Sequence, residues 1–282
     1  MILLALLSCQ PASRMPEGLE RLCEPMDLSI PPAFFLSSAP SVWMGNPGSG
    51  AQLAVSVLAP EEPQDWTVVL VPPGVSDSSI LSTMARGLVE AGAVVVVFDP
   101  DGRGRSEGEE DYGGWVHQAG LGQVISLTAQ LPCTDRIGVM SRSMGVSMAA
   151  GVLSTQPDLP VSFLIDWEGP SDRYSTGCQG NSMDIPGCDE DNFWSYREGA
   201  VSVADLSVPY HRLQTLYDHV QPDATHARMM LESALEGGVP GVYLNGVELT
   251  EAPGSLAPLL HDWRDPLRHP EEWLRWADRV AP

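Results

Sequence analysis

Ser143 lies in the run I-G-V-M-S-R-S-M-G-V-S-M-A-A-G-V-L, Ile137 to Leu153, which opens like a buried strand, bends through small residues and continues like a helix. A serine hydroxyl is a weak nucleophile at its own pKa, so chemistry at this bend requires a general base, itself oriented by a carboxylate. Carboxylates that end strand-like runs are the first candidates: Asp218 in L-Y-D-H-V-Q-P, with Asp166, Glu168 and Asp172 in I-D-W-E-G-P-S-D as alternatives. The chain has 6 histidines. His117 precedes the serine, His211 opens the run leading to Asp218, and His219 adjoins Asp218, too close to bridge from it to Ser143. His226 falls on a helical pattern that suits packing, which leaves His261 and His269 nearer the end of the chain.

Composition removes several other chemistries. All 15 basic residues are arginine, so a P-loop, a Schiff base and a Ser-Lys dyad are excluded together. A formal charge of -22 repels phosphate backbones and anionic headgroups, so nucleic acid is not an expected partner. No Cys/His cluster has zinc spacing. The acidic run Asp189-Glu190-Asp191 lacks the spaced oxygens and glycine of a calcium loop and reads as a solvated face. No metal and no organic cofactor is expected.

The elements that must hold these residues alternate. Trp66 to Val71 and Ala93 to Phe98 are short, continuous and β-branched, as strands covered on both faces are. Similar runs follow at Ile137 to Met140, Val161 to Ile165, Tyr210 to Leu216 and Gly241 to Leu244. Helical patterns lie between them, at Ser79 to Glu90, Gly114 to Gln130, Met144 to Leu153 and Asp223 to Leu235. This alternation predicts an α/β fold with a mostly parallel, doubly wound sheet, whose function collects at the carboxyl ends of the strands.

Four of those ends carry unusual residues: P-P-G-V-S at Pro72 to Ser76, F-D-P-D-G-R-G-R-S-E-G at Phe98 to Gly108, the S-R-S-M-G bend, and L-Y-D-H-V-Q-P. In this order, over Gln52 to Asn245, they resemble the α/β-hydrolase superfamily. The resemblance implies a nucleophile elbow at Ser143, flanked by Ser141, where the family has glycine, and by Gly145. It implies an oxyanion hole from the Met144 backbone N–H and the Gly74–Val75 region, with Val75 preferred. The family order of serine, acid, histidine then implies Asp218 as the acid and His261, beyond the final strand, as the base, although His261 follows that strand at a distance. The stretch with Arg103 and Arg105 is given a structural role.

The expected activity is a serine hydrolase acting on carboxylic esters or related small acyl compounds through an acyl-enzyme. A serine exopeptidase on the same scaffold is the alternative. So is a non-catalytic, surface-tethered binding protein whose relay has decayed. Residues 169–209 would form a cap or lid, and residues 1–40 a signal-like start and tether ahead of a hydrolase domain over 41–282. The start, M-I-L-L-A-L-L-S-C, resembles the end of a bacterial lipoprotein signal, with lipidation at Cys9 and an extracytoplasmic, membrane-anchored location; a cytoplasmic location is the alternative. Too short to span a bilayer, the run would meet the membrane only through that lipid. Cys23, Cys133, Cys178 and Cys188 remain, and Cys178 with Cys188 brackets a short loop suited to a disulfide, two free thiols being the alternative.

Overall fold

A computed structural model describes residues 18–180, 183–219, 221, 223–260 and 270–281. The strands, in chain order, are β1 (Ser41–Gly45), β2 (Gln52–Leu58), β3 (Trp66–Val71), β4 (Val94–Phe98), β5 (Arg136–Arg142), β6 (Phe163–Trp167), β7 (Tyr210–Leu213), β8 (Val242–Leu244) and β9 (Val247–Leu249). They form one sheet in the order β1-β2-β4-β3-β5-β6-β7-β8-β9. From β4 to β8 every pairing is parallel, while β1, β2 and β9 run antiparallel to their neighbours. The helices are α1 (Pro32–Phe35), α2 (Ser82–Glu90), α3 (Trp115–Thr128), α4 (Gly145–Thr155), α5 (Arg173–Thr176), α6 (Asp191–Trp194), α7 (Gly199–Ala204), α8 (Thr225–Gly237) and α9 (Pro270–Val280).

Strands β3 and β4 are buried along their whole length because both faces of the sheet are covered. One face packs Val69, Val96 and Val139 against α3, α4 and α8; the other packs Val68, Val97 and Phe163 against α2 and α9. The sequence placed β6 at Val161 to Ile165, whereas it runs Phe163–Trp167, so Asp166 lies inside the strand and Glu168 just beyond it. Strands β1, β2 and β9 are additions. β2 reads as Q-L-A-V-S-V-L, too mixed for a central strand, yet all but Gln52 are buried between β1 and β4.

The tether expected over residues 1–40 is, from Leu19 onward, part of the packed body. Phe35 is fully buried, Met26 N–H donates to Ala59 O, and Cys23 is bonded to Cys133. Cys9 and the signal-like start lie outside the described residues. The 169–209 excursion divides. Its first part carries α5, α6 and the Cys178–Cys188 disulfide, while α7 belongs to the helical layer and packs on α4 and α8. The approach of α7 to α8 is so close that a Cβ at Gly237 would lie 1.9 Å from Ala204 O, which only glycine allows.

Candidate active site

Ser143 immediately follows β5 and has φ 51°, a left-handed conformation costly for a side chain with a Cβ. Its N–H donates to Trp167 O at 2.8 Å, extending the β5–β6 ladder by one bond beyond the strand. Chain direction then reverses into α4. Gly145 permits the turn, because a Cβ there would lie 2.8 Å from Pro72 O and 3.0 Å from Val71 O. The start of α4 is therefore pressed against the end of β3, and Met144, its N-cap, contributes an end amide with no intrahelical acceptor. Gly74, with φ 48°, shapes the Pro72–Val75 loop, and Val75 is exposed. Ser141, the departure from glycine at the first flank, is fully buried in β5.

A small cavity of about 40 Å³, open to solvent, is lined by Ser143, Met144, Glu168, Pro170, Ser175, Thr176, Met183, Gln221 and His226. Met183 reaches over from the disulfide loop: a Cβ at Gly74 would lie 3.2 Å from its sulfur. Ser175 and Thr176 come from α5, whose N-cap is Asp172. Asp172 accepts from Ser175 N–H at 2.8 Å and so caps α5.

Asp166, another alternative acid, sits in a buried ion pair. It is fully buried against Arg212 at 2.5 Å and Tyr210 Oη at 2.8 Å. Burial pushes the Tyr210 phenol up, and the Asp166 charge adds to this, so the hydroxyl stays a donor.

Two histidine–carboxylate pairs border the cavity. Asp218, in the turn after β7, accepts through Oδ2 from Gln214 at 2.9 Å and lies 2.9 Å from His226 Nε2; its Oδ1 accepts from Gln221 N–H at 2.8 Å. Glu168 Oε1 accepts from Thr215 N–H at 3.0 Å and from its hydroxyl at 2.5 Å, while Oε2 lies 2.9 Å from His219 Nδ1. Burial pushes the Glu168 carboxyl up, but the hydrogen bonds from His219 and Thr215 outweigh it and hold it below its ordinary value. The sequence set His219 aside because it adjoins Asp218; the structure pairs it instead with Glu168, 51 residues away, since β6 and β7 are neighbours. His226, expected to pack, is buried and lines the cavity as well. His261 lies outside the described residues.

Among the described residues, Glu168, Asp218 and His219 offer three ligating atoms within 4.8 Å of one another. Their atoms are taken by hydrogen bonds, and the group reads as acid–base pairing. Arg103 forks onto Glu110 with two bonds of 2.7 Å, and Arg105 N–H donates to Asp99 at 2.9 Å, so that glycine-rich stretch is a brace.

This architecture, with a sharp turn after the central strand, is the α/β-hydrolase fold, and comparison with solved structures agrees. An esterase from Pyrococcus furiosus superposes with a TM-score of 0.64 at 18% identity, covering 88% of this chain and 93% of that one. Est1E from Butyrivibrio proteoclasticus, solved with ferulic acid bound, gives 0.61 at 12% identity over 84% of this chain and 99% of its own. The acylaminoacyl peptidase of Pyrococcus horikoshii gives 0.62 at 14% identity over 86% of this chain and 42% of its own. No family model matches the sequence, and no curated protein matches it.

Proposed function

We propose that this chain is a serine hydrolase acting on carboxylic esters of small acyl groups, with Ser143 as nucleophile. The observation that carries the reading is the strained φ of 51° at Ser143, at the floor of a cavity that also holds a histidine and a carboxylate. Ser143 Oγ would add to the acyl carbonyl carbon while its proton passes to an imidazole. The carbonyl oxygen, now negative, would face the Met144 N–H and the Gly74–Val75 loop. Collapse would break the bond to the leaving alcohol, which takes the proton, and water would repeat the sequence to release the acid.

Asp218 is the acid of this reading and His261, placed by sequence between β9 and α9, its base. A second arrangement rests on the His219–Glu168 contact, because Nδ1 on the carboxylate is the orientation a general base uses and it leaves Nε2 to take a proton. Fluorophosphonate labelling with peptide mapping tests the nucleophile, and Ser143→Ala should abolish both labelling and ester turnover. His261→Ala and His219→Ala decide the base: the one that loses turnover by orders of magnitude carries it. Esterases and a peptidase share the fold, so amide substrates belong in the same assay. Full labelling of Ser143→Ala, or ester turnover absent at every pH, would favour the binding-protein reading.

The Cys23–Cys133 and Cys178–Cys188 bonds support an oxidising compartment, while lipidation at Cys9 rests on the sequence of the start alone. Mass spectrometry of the protein from a bacterial membrane fraction would find or fail to find the lipid on Cys9.

A further inference from the structure

Asp218 is held by two hydrogen-bonded paths that start from one guanidinium. Arg212 is fully buried, and as an arginine it can only donate. Its Nη1 donates to Asp166 Oδ2 at 2.5 Å and Gly169 O at 2.7 Å; its Nε and Nη2 donate to Gln214 Oε1 at 3.2 and 2.7 Å. Nη2 also lies 3.2 Å from His226 Nδ1.

The contact with Asp218 fixes where His226 carries a proton. A carboxylate accepts, so Nε2, 2.9 Å from Asp218 Oδ2, bears a hydrogen and donates it. Nδ1 lies between Arg212 Nη2 and Gly169 O, the latter 3.1 Å away and also accepting from Arg212 Nη1. The same logic orients Gln214: its oxygen accepts from Arg212, so its amide nitrogen donates to Asp218 Oδ2 at 2.9 Å. With Nε2 turned to Asp218 and Nδ1 set against Arg212 and Gly169 O, both ring nitrogens of His226 are engaged within the network.

We propose that His226 is a positioning residue for Asp218, acting with Gln214 to hold Oδ2 so that Oδ1 is the oxygen offered to the base. The inference rests on the reading of Asp218 as the acid. It assigns Arg212 and Asp166 a place as well, because Asp166 fixes the guanidinium from which both paths run.

The test uses the full-length chain with rates expressed per fluorophosphonate-labelled site, so that a loss of folded protein does not count as a loss of turnover. His226→Leu should lower kcat by about tenfold or more, the effect of one hydrogen bond to a charged group, with KM changed by less than about twofold. His226→Gln offers an oxygen to Arg212 and an N–H to Asp218, and should recover most of that loss. In an Asp218→Asn background, His226→Leu should cost less than about twofold, because the path it serves has no charge to hold. Should His226→Leu not fold, Gln214→Met breaks the second path and should show the same kcat loss at unchanged KM. Parent-like kcat in His226→Leu, a Gln variant as impaired as Leu, or full multiplicative losses in the Asp218→Asn background would each overturn the proposal. An Asp218→Asn variant with parent-like turnover is a separate result: it removes the acid assignment beneath the proposal.

Discussion

Ser143 and Glu168 share one backbone geometry: each has φ 51°, and each is the first residue past the end of its strand, where Arg142 of β5 pairs with Trp167 of β6. Two adjacent strands thus end in left-handed residues that both line the cavity. Positive φ on a residue with a Cβ costs on the order of 1–3 kcal/mol and persists where the surroundings impose it.

Replacing Ser143 with glycine should relieve that strain while deleting the hydroxyl. Ser143→Gly is expected to melt higher than Ser143→Ala, by about 1 kcal/mol in chemical denaturation, with neither variant turning over ester. Equal stabilities would show that the turn stores no strain.

The two carboxylates should separate cleanly by isosteric substitution. Asp218→Asn is expected to lower kcat by about 10³–10⁴, the loss typical of removing a triad carboxylate, and Glu168→Gln by less than about tenfold. The reverse ranking in steady-state ester hydrolysis would transfer the relay to Glu168 and His219.

How far the sequence reached is visible at these same residues. Ser143 was legible because an apolar strand, a small-residue bend and a Gly/Ala-rich helix occur in one continuous run, and local signals of that kind survive without tertiary information. Asp218 was legible as a carboxylate following a strand-like run, although β7 ends at Leu213 rather than at Leu216. The Glu168–His219 pair was not: it joins residues 51 apart through the adjacency of β6 and β7, and strand order is a non-local property. Met183 escaped for a related reason, since a methionine in an irregular loop carries no periodic signal. Strands β1 and β2 were missed because the edge of the sheet is antiparallel and mixed in character, unlike the valine runs at its centre.

The buried ion pair beneath the site should be fragile to one-sided change. Arg212→Met leaves Asp166 charged, fully buried and without its cation, and is expected to cost about 3–5 kcal/mol in urea unfolding. A loss below about 1 kcal/mol would mean that water reaches Asp166.

Met183 should set acyl length. Met183→Ala opens the wall between Gly74 and the cavity, and the ratio of kcat/KM for hexanoate to acetate esters is expected to rise by about tenfold. An unchanged ratio would place the acyl group elsewhere.

His117 should make the fold sensitive to mild acid. Burial, with Arg103 adding to it, holds its imidazole below the ordinary value of 6.5, and Gly113 N–H donates to Nδ1 at 3.1 Å while Nε2 lies 3.0 Å from Asp101 O, a pattern suited to the neutral ring. The unfolded chain takes up a proton near that ordinary value and the folded one does not, so stability is complete above it and falls as pH drops below it. Between pH 7.5 and 5.5 the parent should lose more melting temperature than His117→Gln; identical slopes in thermal melts would exclude this contribution. Glu110, held low against the upward push of burial by its bonds to Arg103, adds a further loss only below its ordinary 4.5.

The Cys23–Cys133 bond joins residues 110 apart in the chain, and this sets the path that a pulling force takes. Tension applied to the N-terminus does not travel through β1, β2, β3 and β4, which all lie inside the covalent loop. It bypasses them and enters just ahead of β5, the strand that ends at Ser143. Roughly 380 Å of contour, at about 3.5 Å per residue, is hidden from the pull until the bond is reduced. A chain held by its N-terminus would therefore bear load at β5, and stretching single molecules with and without a reductant would reveal that hidden length directly.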